Sequence, residues 1–392
     1  MISTVTAFEA IPIDKFSIPQ CDLNIENKTR SNLFAWNGQF SPQFIETLLS
    51  NYAHDEDIVL DPFAGSGTTL CEAGRKGLSA YGMELNASAY YMAKTYELIN
   101  RTIPERQSLI LAIEHILATI SDTGKILPTI TSAIQRNKNT DLANLLSTLI
   151  ILMDLFNNEQ PVSLLQKKWD GLKRIVLEIP FSPAAIKIEM GDSRSLNCED
   201  DTATLLITSP PYINVFNYHQ KYRRSVEALG YDVLAIAKNE FGSNRKNRGN
   251  RLLTVIQYCI DMALSFEEAI RACKDGSRMI YIVGRESNVL GYSFCNRRLI
   301  FELATQIFEL PVLLRQERVF KNRFGQLIYE DILHFENTKT GAYPSSEEII
   351  SAARSIAVKM LFEKAQLYPD SENVGFIVEA IEKSERINRS EA

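Results

Sequence analysis

The sequence has no cysteine pair at the spacing of a metal-binding or redox motif. Its 392 residues include six cysteines without a CxxC pair, which disfavours a zinc module and predicts a reduced, cytoplasmic protein. The chain begins without the basic stretch and apolar core of a signal peptide. Its longest apolar run, around Leu145 to Phe156, is interrupted by polar residues and is too short to span a bilayer. We therefore expect no membrane segment and interpret this run as a buried helix.

The chain also lacks overall positive charge. Its formal net charge is −6, the wrong sign for a simple nucleic-acid binder, but only the surface that meets phosphates has to be positive. One stretch, residues 221–251, contains eight basic and three acidic residues. An isolated stretch of this kind is usually a solvated loop, so its place relative to the other motifs decides how it is interpreted.

Short apolar runs and long helical stretches alternate along the chain. Residues 58–60 and 80–83 have the character of buried strands on either side of a turn and a helix, which predicts a strand–helix–strand unit of a parallel sheet. From Arg101 to about Ile179, apolar residues recur three and four positions apart, which indicates a helical insertion. Further strands are predicted at 185–189, 204–207 and 278–283, a helix at about 252–274, and an antiparallel hairpin at 312–320 and 329–335.

The segment Asp61–Thr69 reads DPFAGSGTT and joins a predicted strand to a predicted helix. An open α/β sheet binds its ligand beyond the carboxyl ends of the strands, and Gly65 and Gly67 let the backbone approach a ligand closely. The segment has no GxxxxGK[ST] lysine, which disfavours a nucleotide phosphate clamp. The acid that begins it suits a ligand with an ammonium group. A GxG alone is weak evidence, because many ordinary turns contain one.

Two more acidic residues follow predicted strands. Glu84 lies 23 residues after Asp61 and is suited to accept hydrogen bonds from both hydroxyls of a ribose. Asp192 follows the strand at 185–189 and is suited to accept from an adenine amino group. Each acid alone would be interpreted as a surface or capping carboxylate. Three acids at the ends of three strands favour a binding site.

A second motif, Thr208-Ser209-Pro210-Pro211-Tyr212, also ends a predicted strand. The prolines fix φ and remove two N–H groups, so the turn is rigid and its carbonyls are free to accept. The Ser209 side chain and the Pro210 carbonyl would hold both hydrogens of an exocyclic amine, and the nitrogen lone pair would face a methyl donor. Tyr212 would stack on a base flipped out of the duplex. The alternative is a proline-stiffened turn with a core tyrosine.

Together, the two motifs resemble those of the site-specific DNA amino-methyltransferases, which act on N4 of cytosine or N6 of adenine. Asp61–Thr69 resembles motif I of that family, Ser209–Tyr212 its catalytic motif IV in the SPPY form, and Phe40–Phe44 its motif X. The resemblance implies a Rossmann-like α/β fold with S-adenosylmethionine as methyl donor. It implies that the catalytic residues are Ser209, Pro210, Pro211 and Tyr212. It implies that the cofactor-binding residues are Phe40, Pro42, Asp61, Pro62, Phe63, Gly65, Ser66, Gly67, Thr68, Thr69, Glu84, Asp192 and Thr208.

The resemblance also divides the chain. Residues 1–100 and 180–340 would form the catalytic domain, with a mostly parallel sheet and an antiparallel C-terminal hairpin; residues 101–179 would be the helical insertion and 341–392 C-terminal helices. The motif X-like part covers about 34–48. Many enzymes with these motifs place motif IV before motif I, whereas motif I comes first here. Circular permutation preserves the site.

The predicted reaction is direct methyl transfer from sulfonium to amine, without a covalent enzyme intermediate. Methylation of cytosine at C5 needs a nucleophilic cysteine, which follows a proline in that family, and the chain has no Pro-Cys pair. A dehydrogenase is compatible with the fold but leaves the SPPY motif unexplained. Ser209 favours N4 of cytosine, because adenine-specific relatives usually have Asp or Asn there. An N6-adenine enzyme, an RNA amino-methyltransferase and a catalytically silent DNA-binding module remain as alternatives.

Residues 213–255 are predicted to contact double-stranded DNA, because the basic stretch follows the catalytic motif directly. Arginine and asparagine, frequent in this segment, read guanine and adenine edges in the major groove. The predicted DNA contacts are Lys221, Arg223, Arg224, Arg245, Lys246, Arg248 and Arg251. His219 is assigned a structural role. The region 315–323 is either a solvated hairpin or a second DNA-facing edge, formed by Arg315, Arg318, Lys321 and Arg323. Family habit implies a restriction endonuclease that acts separately.

Overall fold

The computed structural model describes residues 8–155, 161–213, 220–241, 247, 249–322, 325–339 and 343–388. The strands of this part of the chain are β1 (Ile58–Asp61), β2 (Ser79–Glu84), β3 (Ile186–Met190), β4 (Ala203–Thr208), β5 (Cys273–Gly284), β6 (Glu286–Val289), β7 (Tyr292–Cys295), β8 (Val312–Lys321) and β9 (Leu327–Glu336). The α-helices are α1 (Gln20–Asn24), α2 (Pro42–Tyr52), α3 (Thr68–Arg75), α4 (Ala87–Thr95), α5 (Ile103–Leu117), α6 (Thr123–Arg136), α7 (Thr140–Met153), α8 (Val162–Glu178), α9 (Arg223–Ala228), α10 (Val233–Asn239), α11 (Leu253–Ala272), α12 (Asn296–Gln306), α13 (Ser346–Leu367) and α14 (Val374–Glu382).

The large sheet has seven strands in the order β3-β2-β1-β4-β5-β9-β8. β2 is parallel to β1 and β3, and β4 is parallel to β5. β9 is antiparallel to β5 and to β8. A separate two-stranded sheet pairs β6 with β7. The predicted Rossmann-like α/β fold with an antiparallel C-terminal hairpin is therefore confirmed.

The chain forms two compact units. The β1–β3 unit comprises Thr29–Met190 and Asn217–Ile236, and the β4–β9 unit comprises Met1–Lys28, Gly191–Phe216 and Ala237–Ala392. In the β1–β3 unit, the apolar run that begins at Leu145 lies in α7, and Leu145, Leu146 and Leu149 are at most 1% exposed. The part of the run up to Met153 is a buried helix, as predicted, and Phe156 lies outside the described residues. None of the helices in the described part of the chain is long and apolar enough to cross a membrane.

Residues 103–178 of the β1–β3 unit contain the four helices α5 to α8. A capping box of Thr102 and Glu105 begins α5. The fully buried Arg106 guanidinium donates to the carbonyls of Leu98 at 2.9 Å and Pro180 at 2.8 Å. Arg106 therefore connects the start of α5 to the chain that follows α8. The assignment of 101–179 as an insertion stays a prediction.

In the β4–β9 unit, the hairpin pairs Val312 with Phe335 at one end and Lys321 with Leu327 at the other. The turn holds a hydrogen bond from the backbone N of Asn322 to the carbonyl of Gln326, at 2.9 Å. The hairpin and the strands that it joins agree with the prediction from the sequence. Helices α13 and α14 follow it, and α13 begins with a capping box of Ser345 and Glu348.

Candidate functional site

The glycine-rich loop between β1 and α3 contains two residues with left-handed backbone. Gly65 has φ 53° and Gly67 has φ 84°. A Cβ built on Gly67 would lie 2.8 Å from Cβ of Ala93 in α4, closer than side chains tolerate. Glycine is therefore required at position 67, both because φ is left-handed and because α4 packs closely against it. We call Asp61–Thr69 the cofactor loop.

Glu84, the last residue of β2, holds the cofactor loop in place. Its Oε2 accepts from the backbone N of Gly65 at 2.8 Å, and its Oε1 accepts from the backbone N of Asn86 at 2.6 Å. Each carboxylate oxygen of Glu84 thus holds one backbone N–H group. The structure brings Glu84 and Gly65 together within the β1–β3 unit.

Asp61 is only 1% exposed, and its Oδ1 accepts from the backbone N of Phe63 at 3.2 Å. This contact shapes the turn at Pro62, as short acidic side chains commonly do. Asp61 therefore orients the loop. The predicted contact of its carboxylate with a ligand's ammonium group stays a prediction.

The motif X-like segment is attached to the same loop. The side-chain amide of Asn32 donates to the Phe40 carbonyl at 2.8 Å and to Oγ1 of Thr68 at 3.0 Å. Ser66 donates to Oε1 of Gln39 at 2.6 Å. Pro42 is the first residue of α2, and Phe40 and Thr69 are buried. Asn32 and Gln39 were not among the predicted residues, although both lie shortly before Phe40–Phe44 in the sequence.

A cavity of about 390 Å³ in the β1–β3 unit includes Pro42 and Thr68 in its lining. Its polar wall is an ion pair in which both terminal nitrogens of Arg30 bind the carboxylate of Glu72, at 2.9 and 2.6 Å. Burial raises the pKa of Glu72, and the Arg30 hydrogen bond opposes that shift. Arg30 and Glu72 therefore neutralise each other in the wall of the cavity.

In the β4–β9 unit, the second motif forms the turn after β4. Thr208 is fully buried at the strand end, and the Pro211 carbonyl accepts from the hydroxyl of Tyr258 in α11 at 2.7 Å. Within the described part of the chain, no donor is seen on the Pro210 carbonyl, so of the two proline carbonyls only that of Pro211 has a partner among the described residues. Ser209, the other predicted acceptor, is half-buried.

Tyr212 packs against the end of β5. A Cβ built on Gly284 would lie 2.7 Å from Cε2 of the Tyr212 ring. Burial raises the pKa of Tyr212, and hydrogen bonds from the Ser209 hydroxyl and the Gly284 backbone oppose that shift. The phenol is therefore neutral at physiological pH. Gly284 was not predicted, although a glycine at a strand end is a signal of close approach.

Asp192 lies just after β3 and is paired with a residue that was not predicted. Its Oδ1 accepts from the backbone N of Arg194 and from Nε of the same residue, both at 2.9 Å, and its Oδ2 pairs with Nη2. Arg194 also donates to Asp261 at 2.5 Å. Asp192 is thus held by an arginine, and its predicted contact with an adenine amino group stays a prediction.

The predicted DNA contacts differ in their surroundings. Arg223 pairs with Glu227 at 2.7 Å, and Arg224 is exposed on α9. Lys221 is half-buried and donates to the Ala35 carbonyl at 3.1 Å. Arg251 is half-buried at the start of α11. The remaining predicted residues, Arg245, Lys246, Arg248 and His219, lie outside the described residues.

The interpretation of residues 315–323 as a second DNA-facing edge is wrong for two of the four basic residues. Arg315 is 3% exposed and pairs with Asp331, and Arg318 is 6% exposed and pairs with Glu330. Both guanidinium groups neutralise acids inside the hairpin and cannot reach a phosphate. Lys321 is exposed at the end of β8, and Arg323 lies outside the described residues.

Two sequence comparisons agree with the predicted resemblance. Residues 14–95 match the DNA methylase family model, a range that includes the motif X-like segment and the cofactor loop but not Ser209–Tyr212. A curated relative, Type II methyltransferase M.MjaII of Methanocaldococcus jannaschii, is 37% identical over 51 residues, which are 13% of this chain and 10% of the relative. The predicted resemblance to N4/N6 DNA amino-methyltransferases is confirmed, and this chain aligns with about a tenth of the relative.

The solved structures that resemble this chain are less similar to it in sequence than the curated relative is. A SAM-dependent methyltransferase of Methanosarcina mazei matches 74% of this chain and 97% of its own, with 11% identity and a TM-score of 0.35. Geranyl diphosphate C-methyltransferase of Streptomyces coelicolor A3(2) matches 75% of this chain and 79% of its own, with 10% identity and a TM-score of 0.32. At such low scores, neither likeness bears on function.

Proposed function

We propose that this protein is an S-adenosylmethionine-dependent DNA methyltransferase that methylates the exocyclic N4 amine of cytosine in double-stranded DNA. The observation that supports this most strongly is the turn after β4. Tyr258 fixes the Pro211 carbonyl, whereas no donor on the Pro210 carbonyl is seen among the described residues, and Ser209 precedes it in the turn. Two acceptors on a rigid turn suit the two hydrogens of an exocyclic amine.

The cofactor loop fits S-adenosylmethionine. Its left-handed glycines let the backbone approach a ligand, and Glu84 has lone pairs suited to ribose hydroxyls. The matched DNA methylase family and the relative, itself named a Type II methyltransferase, support the same ligand. When bound, S-adenosylmethionine supplies an electrophilic methyl group on a sulfonium sulfur. Asp61 and Asp192 are proposed to face its methionine and adenine ends.

The catalytic role falls to Ser209, Pro210 and Tyr212. Accepting both amine hydrogens favours a pyramidal nitrogen whose lone pair points away from the turn. Tyr212, held against Gly284, would present its ring to a base flipped from the duplex. The reaction needs no strong base, because the amine attacks as a neutral nucleophile and loses its proton afterwards.

The proposed preference for cytosine over adenine depends on Ser209. A hydroxyl accepts one amine hydrogen without adding charge, and adenine-specific relatives usually have Asp or Asn there. The second candidate is therefore N6-adenine methylation on the same turn. An RNA amino-methyltransferase and a silent DNA-binding module have no observation that favours them over DNA methylation.

DNA contacts are proposed for Arg223, Arg224, Arg251 and the neighbouring basic residues of 213–255. A separately acting restriction endonuclease is proposed only from the Type II name of the relative. We keep 101–179 as an insertion into the catalytic domain, with its four helices α5 to α8.

The test is transfer of labelled methyl groups from S-adenosylmethionine to unmethylated genomic DNA or to total RNA by the full chain. We expect label in DNA, and loss of that label in Ser209→Ala. A rise in melting temperature with S-adenosylmethionine, in wild type and variant alike, would show that the variant still binds cofactor. Label in RNA alone, or cofactor binding without any transfer, would contradict the proposal.

A further inference from the structure

Trp36 lies beside the cofactor loop. A Cβ built on Gly65 would lie 3.8 Å from Cδ1 and 3.9 Å from Nε1 of the Trp36 indole, so a methyl group would fit between Gly65 and the ring. The indole is 9% exposed although Trp36 lies outside any helix or strand. One edge of this ring therefore forms part of the immediate surroundings of the loop.

The same indole packs against two consecutive residues that precede α9. Trp36 and Tyr222 are stacked, with ring centroids 6.4 Å apart and an interplanar angle of 17°. The Lys221 ammonium lies 5.2 Å from the indole centroid and 5.1 Å from the Tyr222 centroid. It also donates to the Ala35 carbonyl at 3.1 Å. The cation is thus in range of both rings and bonded to the backbone next to one of them.

The segment around Lys221 is fixed to the β1–β3 unit. Tyr222 has φ 59°, a left-handed conformation that residues with side chains rarely adopt and that surrounding contacts must hold. The backbone N of Leu155 donates to Oγ of Ser225 at 3.1 Å, and the hydroxyls of Tyr91 and Tyr231 are 2.8 Å apart. Two separate contacts therefore anchor residues 221–231.

The surroundings of Lys221 do not suit a phosphate contact. Burial lowers the pKa of Lys221, and the charge of Asp154 opposes that shift. A lysine that binds DNA phosphate needs an accessible ammonium, whereas this one is half-buried and engaged by a carbonyl and two rings.

We propose that Lys221 is a positioning residue that holds Trp36 in place beside the cofactor loop, so that affinity for S-adenosylmethionine, not for DNA, depends on it. This inference rests on the proposed function, because it takes the loop as the S-adenosylmethionine site. Without the ammonium, the indole loses a cation that lies near both its own ring and that of Tyr222, and with it one of the contacts that fix its position beside Gly65. The inference replaces the prediction that Lys221 contacts DNA.

The test is the Kd for S-adenosylmethionine, measured by calorimetry on the full chain. Lys221→Met keeps a long unbranched side chain but removes the charge, and it should weaken binding roughly 2- to 30-fold. Lys221→Arg should stay within about twofold of wild type, because guanidinium also stacks on aromatic rings. Lys167→Met, at an exposed lysine of the same unit, is the matched control and should bind as wild type does.

A second readout separates positioning from DNA contact. The slope of log K for DNA against log salt should be the same in Lys221→Met and wild type, whereas loss of a phosphate contact lowers it by about 0.9. A wild type that binds no S-adenosylmethionine would refute the proposed function itself. Unchanged cofactor affinity in Lys221→Met, equal loss in Lys221→Arg, or a reduced salt slope would overturn the inference and leave the proposed function standing.

Discussion

The Tyr212 ring lies directly on the backbone of Gly284, so closely that a Cβ at position 284 would be 2.7 Å from Cε2 of the ring. Gly284 is the last residue of β5, and Tyr212 ends the turn that follows β4. The glycine at this strand end therefore determines where the tyrosine can lie. If Tyr212 stacks on a flipped base, Gly284 sets the position of that stacking surface.

Gly284→Ala should reduce the rate of methyl transfer without weakening cofactor binding. The added methyl group must displace the Tyr212 ring, and overpacking of this kind costs roughly 1–3 kcal/mol. We expect kcat to fall about tenfold or more, with the Kd for S-adenosylmethionine within about twofold of wild type. Single-turnover kinetics and calorimetry provide the two readouts.

The control for Gly284→Ala is a double-mutant cycle with Tyr212→Ala. If Gly284 acts by placing the tyrosine, adding Gly284→Ala to Tyr212→Ala should lower kcat no further. Full additivity of the two losses would mean that Gly284 acts on the reaction by another route.

Gly67→Ala should destabilise the protein more than Gly77→Ala. Both glycines have left-handed φ, 84° and 77°, so each alanine costs about 1–2 kcal/mol for its backbone. A Cβ at 67 would also meet Cβ of Ala93 at 2.8 Å, whereas nothing lies within 4 Å at 77. We expect an additional loss of roughly 1–3 kcal/mol at 67, measured by urea unfolding. Equal losses would mean that the loop can move away from α4 at no cost.

Arg224→Ala should weaken DNA binding and reduce its salt dependence. Arg224 is exposed on α9, and removal of one phosphate contact lowers the slope of log K against log salt by about 0.9. Fluorescence anisotropy at several salt concentrations measures this slope, with Lys167→Ala as the control for loss of one positive charge elsewhere. An Arg224→Ala slope equal to the control's would remove this residue from the DNA surface.

Stability should fall as pH is lowered from about 6.5 towards 3, partly because of His334. Burial lowers the pKa of His334 to about 3, and the charge of Arg278 adds to the shift. In the unfolded chain the ordinary value is near 6.5, so between these values only the unfolded state binds the proton. The contribution is at most about 1.4 kcal/mol per pH unit.

His334→Gln isolates that contribution. Glutamine can still accept from Arg278 and donate to Gln316, the two partners that His334 has at 3.2 Å, but it does not titrate. The free energy of unfolding of this variant should depend less steeply on pH between about 4 and 6 than that of wild type. Identical slopes would show that His334 is protonated in the folded state at these pH values.

The local motifs could be predicted from the sequence because their geometry depends on nearby residues. The cofactor loop, the turn after β4 and the β8–β9 hairpin are each specified by glycines, prolines and alternating apolar residues over a few positions. The contacts of Lys221 and Arg315 could not be predicted in this way. Lys221 bonds to Ala35, and Arg315 to Asp331 on the neighbouring strand. Such pairings arise only when the chain folds, so a charge pattern cannot distinguish a buried arginine from one that faces DNA.

Gly284 and Arg194 illustrate the same limit at the site. A glycine at the end of a strand signals a close approach, but the sequence does not name Tyr212 as the group that approaches. Likewise the sequence predicts the acid Asp192, but not its partner Arg194, which also donates a hydrogen bond to Asp261 in α11. The groups that contact Gly284 and Asp192 therefore follow only from the structure, even though both residues stand in recognisable sequence patterns.

The central claim, amine methylation of DNA, is tested most directly by nucleoside mass spectrometry of unmethylated genomic DNA after incubation with the full chain and S-adenosylmethionine. We expect N4-methylcytosine, and single-molecule sequencing of the same DNA should place it in one short sequence motif. N6-methyladenine would keep the reaction but refute the assignment that rests on Ser209. The absence of any methylated base, with cofactor binding confirmed by calorimetry, would contradict the account.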